Sequence, residues 1–103
     1  HEAIAAAKGG INSLTLSAAS TYASKKIRVN AVAPGLIQTS LTAPLLANSD
    51  TLHLSEKMHP LGRLGKPLDV AKAIAFLLDT ENDWITGQIL AVDGGLSRIK
   101  KGS

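Results

Sequence analysis

The sequence predicts an α/β fold with two parallel strands, on three observations. Two short segments rich in β-branched residues, Ile27–Ala33 and Gln88–Val92, each run into a turn, Pro34-Gly35 and Asp93-Gly94-Gly95. The 54 residues between them (34 to 87) carry helical patterning, and a helical connection of that length returns the chain to a parallel neighbour by a right-handed crossover. A further helical stretch precedes the first strand. The predicted order is helix, strand, helical excursion, helix, strand.

Residues 1 to about 24 read as one helix. Glu2, Ala3, Ala5, Ala6, Ala7 and Lys8 favour it, and Gly9-Gly10 is its weak point. Beyond that pair, Ile11, Leu14, Ser17-Ala18 and Tyr22 recur at three- and four-residue steps and form one apolar or small-residue face. Its richness in Ala, Gly and Ser implies close packing on another element. In the first strand the odd positions 27, 29, 31 and 33 are all apolar. Residues 36–59 hold helical candidates at 41–47 and 51–58, joined by turn-prone Asn48, Ser49 and Asp50. Residues 60–67 are loop. Pro67 suits the first turn of a helix and Asp69 complements its dipole; Val70, Ala71, Ile74, Ala75, Leu77 and Leu78 give that helix a wide apolar stripe ending before Asn82. Thr86-Gly87 turns the chain into the second strand.

Composition narrows the function classes. The chain has 103 residues, room for one small domain, and with 45% hydrophobic and 18% charged residues it resembles ordinary globular proteins. Tyr22, Phe76 and Trp84 are the three aromatic residues, so the core must be aliphatic. There is no cysteine, which excludes disulfides and thiolate metal sites. No apolar run nears the roughly 20 residues that span a bilayer, and no signal peptide is visible, so a cytoplasmic location is expected. The net charge of +3 owes much to Arg98, Lys100 and Lys101. Such a tail lacks the basic stripe and stacking aromatics of a nucleic-acid binder, and none is expected as a partner. Two parallel strands alone cannot make a sheet covered on both faces and closed at both edges. The chain is therefore expected to be a piece of something larger or to assemble with copies of itself.

Three blocks then carry a resemblance: Ile27-Arg28-Val29-Asn30-Ala31-Val32-Ala33-Pro34-Gly35-Leu36-Ile37-Gln38-Thr39; Pro60-Leu61-Gly62-Arg63-Leu64-Gly65-Lys66-Pro67-Leu68-Asp69-Val70-Ala71; and Thr86-Gly87-Gln88 with Val92-Asp93-Gly94-Gly95. In this order and spacing they resemble the short-chain dehydrogenase/reductase family. The resemblance implies that residues 1–103 are the C-terminal segment of that family's NAD(P)-binding Rossmann domain, with its sixth and seventh strands. The family's glycine-rich phosphate turn and its carbonyl-polarising serine are not among these residues.

The family's proton relay is Tyr-x-x-x-Lys, whose four-residue step puts both side chains on one helix face. The lysine holds the nicotinamide ribose hydroxyls and lowers the tyrosine pKa. Tyr22-Ala23-Ser24-Lys25-Lys26 matches literally, but the family fills the span between the lysine and the Pro-Gly with a long helix and a strand. Lys26 precedes Pro34 by eight residues, too few, whereas Lys8 precedes it by 26. In that register the tyrosine position is Ile4, which can neither donate nor accept a proton. Lys8 is then a vestigial catalytic residue and a ribose ligand, and Tyr22 packs its ring at the helix end. His1 shares the face of Lys8, but about 10 Å away along the axis against about 6 Å for the missing tyrosine, so its reach is poor.

The resemblance further implies that Pro34, Gly35, Ile37 (through its backbone) and Thr39 (through its hydroxyl) bind the cofactor, NAD or NADP. Thr39 also suits the N-cap of a helix over 40–47. His53 and His59 lack metal-ligand spacing, so no metal is expected. Asp79, Glu81 and Asp83 read as a solvated helix end, and the family uses the Asp93-Gly94-Gly95 end for subunit contacts. Two functions remain open: part of an NAD(P)-dependent oxidoreductase acting on a hydroxyl or carbonyl, inactive as it stands, or a non-catalytic homo-oligomeric interaction module derived from one. Its partner is accordingly a copy of itself or the missing N-terminal half.

Overall fold

The structure is a computed structural model that describes residues 2–100, apart from the side chain of Ile4. Helix α1 (Glu2–Tyr22) is followed by strand β1 (Ala31–Pro34), helices α2 (Ala43–Leu46), α3 (Ser49–Met58) and α4 (Pro67–Leu78), and strand β2 (Ile89–Val92). The two strands pair in one sheet. Ala31 N–H donates to Gln88 O at 2.8 Å and Gly35 N–H to Val92 O at 3.0 Å. Both partners advance by four residues, so the strands are parallel. The expected element order and α/β class hold.

The described residues form two compact units, 2–31 with 75–90 and 32–74 with 91–100. In the first, α1 runs through Gly9-Gly10 without a break and ends at Tyr22. A 3-10 turn over Ala23–Lys25 closes it, with Lys26 at φ 59° donating to Ala23 O (2.9 Å) and Ile27 donating to Tyr22 O (3.2 Å). This pair of bonds is a Schellman cap with lysine in the left-handed position usually given to glycine. The face of α1 that packs is not the expected one. Thr15 and Ala19 are buried, while Ile11 and Leu14 (68% exposed) face out. Gly87, in a left-handed turn at φ 71°, packs on this face: a Cβ on it would lie 3.6 Å from Ala19 Cβ, an ordinary contact. Thr15 is tolerated inside because its hydroxyl donates to Ile11 O at 2.8 Å.

The first strand is shorter than the expected 27–33, and its side chains do not alternate between buried and exposed. Residues 28–30 instead hold the segment that leads out of α4. Arg28 Nη1 donates to Leu77 O (2.8 Å) and Ile85 O (3.1 Å), and Nη2 to Asp79 O (3.3 Å). A cation thus satisfies the free carbonyls at the C-terminus of α4. Asn30 Nδ2 donates to Ile85 O at 3.1 Å, and its Oδ1 accepts Gln88 N–H at 3.0 Å. Asp79, expected to be merely solvated, caps a 3-10 turn by accepting Glu81 N–H at 2.9 Å. Of the apolar stripe on α4 only Leu77 is buried; Leu78 is exposed, and Trp84 is 96% exposed.

In the second unit the buried residues are His59 and Leu64. Helix α3 starts two residues earlier than expected because Asn48 Oδ1 accepts the N–H groups of Asp50 (2.9 Å) and Thr51 (3.1 Å). Ser49 and Asp50, read as turn, are therefore its first residues. The preceding helix is shorter than 40–47: Thr39 Oγ1 accepts Thr42 N–H (3.3 Å) and Thr42 Oγ1 accepts Thr39 N–H (2.9 Å), a reciprocal cap on a turn that delays α2 to Ala43. No helix among the described residues is long and apolar enough to cross a membrane.

Candidate functional site

The carboxyl end of β1 leads into a cleft of about 320 Å³ lined by Gly35, Ile37, His59, Arg63, Lys72 and Asp93, among others. Gly35 stands where a side chain would crowd its neighbours. A Cβ at that position would lie 3.0 Å from Asp93 Cα and 3.0 Å from His59 Nε2. Past this point the chain forms a parallel bridge with Gly65, which donates to Leu36 O (2.9 Å) and accepts from Gln38 N–H (2.9 Å). A side chain on Gly65 would displace only the tip of the Ile37 side chain, Cδ1.

When both neighbours of a residue bond to one facing residue, its own N–H and C=O turn to the opposite edge. Ile37 is so placed. Its carbonyl accepts the Thr42 hydroxyl at 2.7 Å, and its N–H has no partner among the described residues. A backbone donor with no acceptor among the described residues therefore stands just past the end of a parallel strand, open to the cleft.

His59 braces this turn from beneath. It is 3% exposed, its Nδ1 lies 2.7 Å from Ser55 O, and Leu36 N–H donates to its Nε2 at 3.2 Å. A carbonyl only accepts and a backbone N–H only donates, so the imidazole is neutral with its proton on Nδ1. On the rim, Arg63 grips Asp69 through two bonds of 2.9 and 3.3 Å, and Asp69 also accepts Lys66 N–H at 2.8 Å. These bonds, the Arg63 one first, hold the Asp69 carboxyl at about 2. Asp93 is likewise held below the usual carboxylate range, by hydrogen bonds from Ser97 and from Gly95 N–H.

Among the expected site residues, Pro34, Gly35, Ile37 and Thr39 follow one another along this segment of the second unit. Thr39 is exposed, with its hydroxyl engaged by Thr42. Lys8 belongs to the first unit, where it is exposed on the unbroken stretch of α1 one turn after position 4. The side chain of Ile4 and all of His1 lie outside the described residues. Tyr22 and Lys26 are not one turn apart on an α-helix, because the helix ends at Tyr22 and Lys26 is left-handed. Among the described residues no three His, Cys, Asp or Glu side chains converge as a metal site would require; His53 lies 3.8 Å from Glu56 on α3.

The model of a family described as enoyl-(acyl carrier protein) reductase matches residues 1–97. The chain belongs to the short-chain dehydrogenase/reductase family. It is 50% identical over 90 residues to a tropinone reductase homolog of Arabidopsis thaliana, covering 87% of this chain and 28% of that protein. A crystal structure of a putative 2-deoxy-D-gluconate 3-dehydrogenase from Agrobacterium tumefaciens with bound NADP superposes with a TM-score of 0.84 at 40% identity, over 91% of this chain and 38% of that one. An NADPH-bound short chain oxidoreductase from Pseudomonas aeruginosa, described as containing an atypical catalytic center, gives 0.80 at 37% identity, over 92% and 38%. The chain thus spans about a third of the length of these relatives.

Three residues have roles that the sequence pattern does not announce: His59 in the cleft, and Arg28 and Asn30 on carbonyls at and after the end of α4. The one signal, for Arg28 and Asn30, is that two polar side chains at the even positions of an apolar strand need polar partners.

Proposed function

We propose that residues 1–103 correspond to the C-terminal segment of an NAD(P)-binding Rossmann domain in an oxidoreductase acting on a hydroxyl or carbonyl, and that they supply the nicotinamide end of its site. The Ile37 N–H carries this reading. A rigid free donor past the carboxyl end of a parallel strand, on a turn too tight for a side chain at Gly35, suits a flat amide-bearing ring. Relatives that hold NADP or NADPH support it.

Bound nicotinamide supplies the hydride donor or acceptor. In the second unit Ile37 N–H would hold the carboxamide, Pro34-Gly35 would admit the ring and Thr39 Oγ1 would reach the carboxamide or phosphate; by the family pattern alone, Lys8 would take the ribose hydroxyls. The fit is to one end of the cofactor only, since no glycine-rich turn opens a helix after a strand in residues 1–103. With Ile4 in the tyrosine register, position 4 moves no proton, and this segment by itself transfers no hydride.

Titration of NADP+ and NAD+ into the complete gene product tests the assignment. Lys8→Ala weakens binding about tenfold through loss of charge-assisted hydrogen bonds, while Ile4→Tyr leaves binding intact and raises turnover at least about tenfold by restoring a proton donor. Unaltered binding in Lys8→Ala contradicts the assignment.

A second reading has its own observation. Ile11, Leu14 and Leu16 on α1, and Trp84, present apolar surface, which favours an oligomer of like chains or burial against the rest of a longer polypeptide. Light scattering separates these: a defined homo-oligomer of the 103-residue chain with cooperative unfolding supports an interaction module, and aggregation contradicts it.

A further inference from the structure

We infer that His59 is a positioning residue for the candidate cofactor site, holding the Gly35-Leu36 turn through the lone pair on Nε2 and releasing it when protonated. This rests on the nicotinamide assignment above and names how that site is held. The side chain is nearly sealed from solvent, at 3% exposed. One nitrogen is committed to Ser55 O near the end of α3 and the other to Leu36 N–H, one residue before the Ile37 donor. A Cβ on Gly35 would lie 3.0 Å from Nε2, so the imidazole fills the space that fixes the turn.

Both ring nitrogens are satisfied only in the neutral Nδ1–H form. Adding a proton at Nε2 turns an acceptor into a donor facing the Leu36 N–H, and one of the two must move. The charged and titratable groups around it are Asp93 from the end of β2, Arg63 from the preceding loop, and Asp69 and Lys72 from α4, all lining the same cleft. Glu56, beside Ser55 on α3, faces His53 instead. Asp93 already accepts Gly95 and Ser97 N–H groups, and Arg63 and Asp69 hold each other. In this structure Leu36 N–H is bonded to His59 Nε2 and to none of these groups. Loss of the Leu36 N–H bond leaves the segment before the Ile37 donor held only by the Val92 and Gly65 bonds, and lowers affinity for the ring.

The test uses the complete gene product, with two readouts. Two-bond 1H–15N correlation of the imidazole assigns its tautomer, and the Leu36 amide shift follows pH. The inference predicts an Nδ1–H tautomer at neutral pH and a Leu36 amide that titrates together with His59; an Nε2–H tautomer, or a Leu36 amide indifferent to His59, overturns it whether or not any cofactor binds. The second readout is the Kd for NADP+. In the wild type it rises about fivefold or more on acidification, in step with the Leu36 amide shift. His59→Gln keeps an acceptor for Leu36 and a donor for Ser55, so it binds as the wild type does near neutrality and loses the pH dependence. His59→Leu leaves a buried N–H unpaired and binds about tenfold more weakly at every pH. A His59→Gln protein as pH-dependent as the wild type overturns the inference, and does so even if His59→Leu fails to fold. A wild type that binds no cofactor at any pH refutes the nicotinamide assignment instead, and the Leu36 amide then decides the role of His59 alone.

Discussion

At the scale of single residues, the cleft is shaped by what cannot be added to it. Gly35→Ala puts a methyl group 3.0 Å from the backbone of Asp93 and from His59. Neither neighbour is the free end of a flexible chain, so the substitution destabilises by about 1–3 kcal/mol, the usual cost of overpacking; a denaturant titration of the variant checks it. Gly35 was legible in the sequence because a Pro-Gly turn announces itself. Its neighbour His59 was not, since a lone histidine carries no sign of burial until the fold brings Ser55 and Leu36 to its two nitrogens. The Arg63–Asp69 pair gives a pH prediction. Its folded carboxyl stands at about 2, below the 3.8 of a free one, so the pair's contribution is fully present above about pH 4. It is lost as pH falls toward 2. A carboxyl 13C titration that finds Asp69 protonating near its ordinary value contradicts the pairing. Because both groups are exposed, the effect on stability is small.

At the scale of elements, several boundaries that sequence patterning misplaced were decided by side chains bonding to backbone. Asn48 starts α3 early and the Thr39–Thr42 exchange starts α2 late. Periodicity reports which face is apolar and is silent on such caps. The expected strand over 27–33 lost its first half for the same reason, because Arg28 and Asn30 are spent on the carbonyls of Leu77, Asp79 and Ile85. Arg28→Met keeps the aliphatic stem and strands those carbonyls; it costs about 2 kcal/mol, in the range for hydrogen bonds to a charged donor. Arg28→Lys recovers only part of that, having no planar fork to reach several acceptors at once. Thermal unfolding of the two variants side by side reads the difference, and equal losses contradict the clamp. Lys26→Gly acts in the other direction. It relieves a left-handed lysine in the cap after α1 and raises stability by about 1 kcal/mol, which the same unfolding curves detect.

At the scale of the whole molecule, family and fold were legible because they reside in spaced blocks rather than in any one contact. Pro34-Gly35 after a β-branched strand, Pro67 opening a helix, and Thr86-Gly87 before a second strand each carry a backbone constraint that the structure meets. The packing of α1 was not legible, since its contact face is Thr15 and Ala19, two small residues that a hydrophobic stripe does not single out. Exposed Leu14, Leu78 and Trp84 leave apolar surface for which the described residues offer no cover. That fits a segment spanning about a third of its relatives' length. The central claim is that the strand end at Pro34-Gly35 and the Ile37 N–H receive the nicotinamide, with Lys8 on its ribose. A crystal structure of the complete gene product soaked with NADP+ tests it most directly. It is predicted to show the carboxamide oxygen within hydrogen-bonding distance of Ile37 N and a ribose hydroxyl on Lys8 Nζ; a nicotinamide seated elsewhere, or Lys26 in the place of Lys8, contradicts it.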